Sequence, residues 1–162
     1  MNKRLKEILK EYEKRKHKII KGDESMNIVV LAGGTSTERE ISIVSGTGIC
    51  KALRERGHQA ILVDVYCGNE NLDPVTAFDE PFGDKDYEVD SAAEYMRSFD
   101  DDIEEIKRTR RSFFGPNVLE LCQAADIVFM GLHGSNGEDG KVQATFDLLG
   151  IRYTGTGYLS SG

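Results

Sequence analysis

Two segments of this chain place a short buried-type strand directly before a glycine turn and a helix start: NIVVLAGGTSTERE at residues 27–40 and DIVFMGLHGSNGEDG at residues 126–140. Neither strand alternates apolar with polar residues, the pattern of a strand covered on both faces in a parallel sheet. Parallel strands need helical crossovers, so the repeated strand, turn and helix plan constrains the chain to an α/β architecture. The expected fold is a Rossmann-like parallel sheet of about four strands with helices on both faces.

The remaining elements follow from periodicity and punctuation. Strands are expected at Asn27 to Ala32, Ala60 to Val65, Asp126 to Leu132 and Ile151 to Thr154. Thr37 followed by Glu40 has the spacing of a capping box, which predicts a helix from about Glu38 to Arg56 ending at Gly57. Its inward face is read as Ile41, Val44, Ser45, Gly48, Ile49 and Ala52. Residues from Cys67 to about Asp90 are rich in Asp, Gly, Asn and Pro and read as irregular. Ala92, Met96, Phe99, Ile103 and Ile106 recur at spacings of four and three, predicting one amphipathic helix from Ser91 to Phe113 with a single partner face. A short helix at Asn117 to Ala124 follows Gly115 and Pro116. A last helix from Glu138 to Leu149 would bury Val142, Thr145, Phe146 and Leu149.

In a doubly wound sheet the first strand lies centrally, with the second on one side and the third on the other. Ligands bind at the carboxyl ends, where the strand order reverses. The turns Gly33 to Glu38 and His133 to Glu138 are then expected to face one another, gathering Glu38, Arg39, His133, Glu138 and Asp139. Glu38 in a first helical turn is favoured by the helix dipole and suits an ammonium group. His133 is placed to orient a carboxylate or a proton-transfer partner. Gly33, Gly34, Gly134 and Gly137 let the backbone approach a ligand closely. Glu138 and Asp139 are equally expected at a helix start for stability alone. LAGGTS is neither GxGxxG nor GxxxxGK[ST], and no acidic residue closes the second strand as a dinucleotide ribose requires, although Asp64 lies near that spot. The residues by themselves indicate a cleft that favours anions or amino acids. A nucleotide-binding, regulatory or interaction module of the same fold is the alternative.

Charge and cysteines narrow the class further. A formal charge of -7 over 162 residues argues against a general affinity for nucleic acid. Residues 1–21 carry nine Lys or Arg against three Glu, while residues 70–105 carry fourteen Asp or Glu against two basic residues. Residues 3–21 read as a charged helix with Leu5, Ile8, Leu9 and Tyr12 on one side. The first 25 residues are treated as an appendage to a domain spanning 26–162, with an insertion at about 68–114. No run of 18 apolar residues occurs and the N-terminus lacks an apolar signal-peptide centre, so no membrane insertion and a cytoplasmic location are expected. Cys50, Cys67 and Cys122 form no CxxC pair, which fits apolar filler in a reducing compartment and no metal site in this chain.

Taken together, VLAGGTSTEREISIVSG (30–46), HGSNGEDGKVQ (133–143) and IRYTGTG (151–157) closely resemble the N-terminal domain of the D-alanine:D-alanine ligases, members of the ATP-grasp enzymes. The resemblance covers about residues 26–162 and implies a preATP-grasp domain. It further implies a reaction in which ATP phosphorylates one D-alanine and the amine of a second attacks the acyl phosphate, in peptidoglycan synthesis. By resemblance Glu38 binds the ammonium of the first D-alanine, and His133 and Glu138 match further active-site positions. ATP and magnesium would be held by central and C-terminal domains beyond Gly162, and a homodimer is the implied assembly. Ala144 stands where the family usually has glycine. The 162 residues alone are expected to turn nothing over, and the choice among D-alanine, D-lactate and D-serine as second substrate lies in residues outside this chain.

Overall fold

The computed structural model describes residues 3, 4, 6, 7, 25–78, 88–132 and 138–155. Four parallel strands, β1 (Asn27–Ala32), β2 (Gln59–Asp64), β3 (Ile127–Met130) and β4 (Tyr153–Gly155), form one sheet in the order β2-β1-β3-β4. The central place of β1 is the one expected. Its register runs Asn27 opposite Gln59 to Ala32 opposite Asp64 on one side, and Ile28 opposite Ile127 to Leu31 opposite Met130 on the other.

Side chains of successive strand residues enter opposite faces, and each face has its own core. Val29, Leu31, Ile61, Val63, Val128 and Met130 pack with Leu121, Val142 and Phe146. Ile28, Val30, Ala32, Ala60 and Leu62 pack with Ile43, Cys50, Ala93 and Met96. The first face is covered by α3 (Ile103–Thr109), α4 (Val118–Ala124) and α5 (Glu138–Leu149), the second by α1 (Arg39–Glu55) and α2 (Val89–Arg97). In α5 the predicted Val142 and Phe146 are fully buried, whereas Thr145 is half-buried and Leu149 exposed. Of the expected N-terminal helix, Lys3, Arg4, Lys6 and Glu7 are helical and exposed; its apolar positions lie outside the described residues.

Three expectations are corrected. Helix α1 presents Ser42, Ile43, Gly46 and Cys50 inward, and Ile41 and Val44 are each 57% exposed. Gly46 sets this phase: a Cβ there would stand 2.9 Å from Ala32 Cβ and 3.0 Å from Leu62 Cδ1, so only glycine lets the helix sit this close to the sheet. The apolar periodicity of α1 fits two rotations of the helix, and the glycine decides between them. The capping box is also absent. The helix is entered from Glu38 without a side-chain cap, and Glu40 instead pairs with Arg97 of α2 at 2.9 Å.

The single helix expected at Ser91 to Phe113 is two. The chain turns through Ser98–Asp102, with Asp100 N–H donating to the Arg97 carbonyl and Asp102 N–H to the Phe99 carbonyl. Asp100, Asp101 and Asp102 are poor helix-interior residues that compete for backbone hydrogen bonds. The bend carries the segment from one face of the sheet to the other, so Ala93 and Met96 join one core and Ile103, with Phe99 and Ile106 beside it, the other. The predicted stripe therefore serves two partner faces. The irregular stretch after β2 is not merely surface: Tyr66, Cys67, Ala77 and Phe78 are buried.

Candidate functional site

The carboxyl ends of β1 and β3 are joined by one hydroxyl. Gly33 N–H donates to Ser42 Oγ at 3.0 Å, and Ser42 Oγ donates to the Gly131 carbonyl at 2.7 Å. Gly131 N–H in turn donates to the Leu31 carbonyl at 2.7 Å. The root of the first turn and the root of the second thus meet at the centre of the sheet, as the topology required. Leu132 is the last described residue before the second turn; His133, Gly134 and Gly137 lie outside the described residues. Glu138 opens α5, and the structure describes its backbone position only.

Glu38 is half-buried at the entrance to α1. Its N–H donates to Ser36 Oγ at 3.1 Å, its carbonyl accepts from Ser42 N–H at 2.9 Å, and Arg39 N–H donates to the Ser36 carbonyl at 3.1 Å. The backbone on both sides of the residue is fixed in this way. Among the described residues none forms a hydrogen bond or ion pair with the Glu38 carboxylate, so a residue with a fixed backbone presents an unengaged carboxylate at the rim of the sheet.

Arg39, expected in the cleft with Glu38, is instead buried in the protein. A cation in a first helical turn is disfavoured by the dipole, and Arg39 is buried against acceptors from three elements. Its Nη2 lies 2.6 Å from Asp64 Oδ2 and donates to the Met96 carbonyl at 2.7 Å. Nη1 donates to the Gly34 carbonyl at 2.9 Å, and Nε donates to Asp100 Oδ1 at 2.8 Å. Burial alone would ease loss of its proton, but the hydrogen bond and charge of Asp64, with Asp100, outweigh it and hold the guanidinium above the ordinary arginine range.

Asp64 has a fully buried side chain, and its Oδ1 also accepts N–H bonds from Tyr66 at 3.0 Å and Cys67 at 3.1 Å. Gly33, at φ +82°, lies so close that a Cβ would stand 2.7 Å from Asp64 Oδ1. The carboxylate that a dinucleotide ribose would need is therefore committed to the protein, and it fills the space behind the first glycine turn. The sequence signal for this network was modest: an acidic residue closing the otherwise apolar strand AILVD, and a basic residue where the dipole disfavours one.

Elsewhere the chemistry is muted. Cys50, Cys67 and Cys122 are buried free thiols, each pushed up to about 12, mainly by burial. Among the described residues no group of His, Cys, Asp and Glu is placed to hold a metal ion, and no helix is long and apolar enough to cross a membrane. An open groove of about 430 Å³, lined by Cys122, Asp126, Ile151 and Arg152 among others, lies at the amino-terminal edge of β3 and β4, away from Glu38.

Comparison with known proteins identifies the family. The chain is 47% identical over 140 residues to a D-alanine–D-alanine ligase of Lacticaseibacillus casei, covering 85% of this chain and 38% of that protein. It is 45% identical over 142 residues to a ligase of the same name from Pediococcus pentosaceus, covering 85% of this chain and 39% of that one. The chain thus spans less than two fifths of the length of these relatives. A crystal structure of the Bacillus anthracis D-alanine–D-alanine ligase with ATP aligns at a TM-score of 0.39 and 23% identity, covering 80% of this chain and 28% of that one. Residues 27–156 match the family model described as the D-ala D-ala ligase N-terminus, and with this match and these identities the chain belongs to the D-alanine–D-alanine ligase family, as its N-terminal region.

Proposed function

We propose that this chain is the N-terminal, substrate-binding part of an ATP-dependent ligase that joins two D-alanines through an acyl phosphate for peptidoglycan synthesis. The observation that carries the reading is Glu38: a residue whose backbone is fixed at the switch point of the sheet and whose carboxylate is unengaged by the described residues. A positioned carboxylate selects the ammonium end of an amino acid by charge and by hydrogen bonds. His133 and Glu138 complete the site from the second turn, and the backbones of Gly33, Gly34, Gly134 and Gly137 let the substrate lie close. In this division of labour residues 26–162 form the substrate domain and residues 1–25 an appendage. ATP and magnesium are held by the remaining ligase domains, in keeping with a first turn already filled by Asp64. Use of ATP places the reaction in the cytoplasm.

The direct test joins residues 26–162 in frame to the part of the Lacticaseibacillus casei ligase that follows its matched region. Phosphate release dependent on both ATP and D-alanine is the expected result, with none from the 162-residue chain alone. A folded fusion without turnover overturns the reading, and turnover by the 162 residues alone overturns the division of labour.

The assembly we infer is a homodimer formed through this domain. Ile41 and Val44, on the solvent side of α1, supply an exposed apolar stripe of the kind that marks interfaces. Light scattering is expected to give twice the chain mass, and to fall to one chain mass when both residues are changed to Asp. A monomeric wild type would remove the inference.

A further inference from the structure

Arg39 ties the first turn, beside Glu38, to the insertion that precedes Gly115. Its guanidinium donates to the Gly34 carbonyl in the first turn and to the Met96 carbonyl and Asp100 where α2 ends, and it pairs with Asp64 at the end of β2. Three separate segments thereby converge on the residue that follows Glu38. The Gly33–Gly34 pair, both at positive φ, would otherwise leave the turn free to swing. Arg39 fastens the far side of that turn through Gly34, while Asp64 lies against Gly33 from beneath. A planar guanidinium can hold acceptors in several directions at once, and a lysine ammonium on its flexible stem cannot reproduce this geometry.

We propose that Arg39 is a positioning residue: it sets the Glu38 carboxylate for the first substrate's ammonium, and through Asp100 and the Met96 carbonyl it makes the end of α2 part of the same substrate-orienting device. This rests on the reading of Glu38 given above. Small displacements of an orienting group cost large factors in turnover, so the arrangement has a kinetic signature distinct from that of a merely folded domain.

The test uses the complete ligase that carries this domain, with Arg39→Lys, Asp100→Asn, Glu38→Gln and the double variant Glu38→Gln with Arg39→Lys, each checked for a native thermal melt. Arg39→Lys is expected to raise KM for D-alanine about 10-fold and leave KM for ATP unchanged. Asp100→Asn, at a half-exposed carboxylate, is expected to do the same more weakly, about 3-fold. In the Glu38→Gln background, Arg39→Lys is expected to add less than about twofold, because two residues acting through one contact are not additive. Equal losses from Arg39→Lys with and without Glu38, or a loss confined to melting temperature with KM unchanged, overturn the proposal while Glu38 keeps its role. Full activity of Glu38→Gln on its own overturns the underlying reading instead. If Arg39→Lys fails to fold, Asp100→Asn decides: an unchanged KM for D-alanine refutes the proposal.

Discussion

Glu38→Gln in the complete ligase is expected to lower kcat/KM for D-alanine by about 10- to 150-fold, the loss of one hydrogen-bonded charge contact of about 1.5–3 kcal/mol. Glutamine keeps the size and a carbonyl acceptor of the side chain, so the change removes the charge and little else. Stability is expected to fall by less than about 1 kcal/mol, the contribution of a carboxylate at a helix N-terminus. Steady-state kinetics over a range of D-alanine concentrations, beside a thermal melt, separates the two effects. Activity within twofold of the wild type would show that the ammonium is bound elsewhere.

Asp64→Leu should give the opposite profile, a large loss of stability. The substitution strands the Arg39 charge in a buried site and leaves the N–H groups of Tyr66 and Cys67 without their acceptor. Breaking one side of a buried ion pair costs about 3–5 kcal/mol, and lost backbone acceptors add to that. With a urea slope of about 1–3 kcal/mol/M for domains of this size, the unfolding midpoint should fall by more than about 1 M. Asp64→Asn, which retains one oxygen for the backbone donors, is expected to lie between Asp64→Leu and the wild type. A midpoint shift for Asp64→Leu smaller than about 0.3 M would mean that Arg39 is satisfied by Met96, Gly34 and Asp100 without the carboxylate.

The two variants separate what was legible in the sequence from what was not. Strand order and the placing of Glu38 followed from apolar runs, turn residues and the reversal of strand order, all of which are local patterns or general rules of topology. The rotation of α1 did not, because Ile41 and Val44 are as apolar as Ile43 and Cys50, and the contact that decides between them is Gly46 against Ala32 and Leu62 of two different strands. The break at Ser98–Asp102 was foreshadowed by three consecutive aspartates, yet the spacing of Met96, Phe99 and Ile103 outweighed them. Periodicity reports that a face is apolar, not that one part of it meets a different layer. Arg39 was assigned to the cleft by its position beside Glu38. Its true direction is set by Asp64, Met96 and Asp100, which lie 25 to 61 residues onward and reach it only through the tertiary fold.

The place of β1 at the middle of the sheet also bears on how the chain acquires its shape during synthesis. One neighbour, β2, follows within about thirty residues, but Leu31 pairs with Met130 on the other flank. At roughly 5–20 residues per second on the ribosome, the nascent chain holds one edge of its most apolar strand open for about 5–20 s before β3 emerges. For that interval an unpaired edge of Ile28, Val29, Val30 and Leu31 is presented to whatever is nearby, and chaperone capture there would delay, without diverting, closure of the sheet.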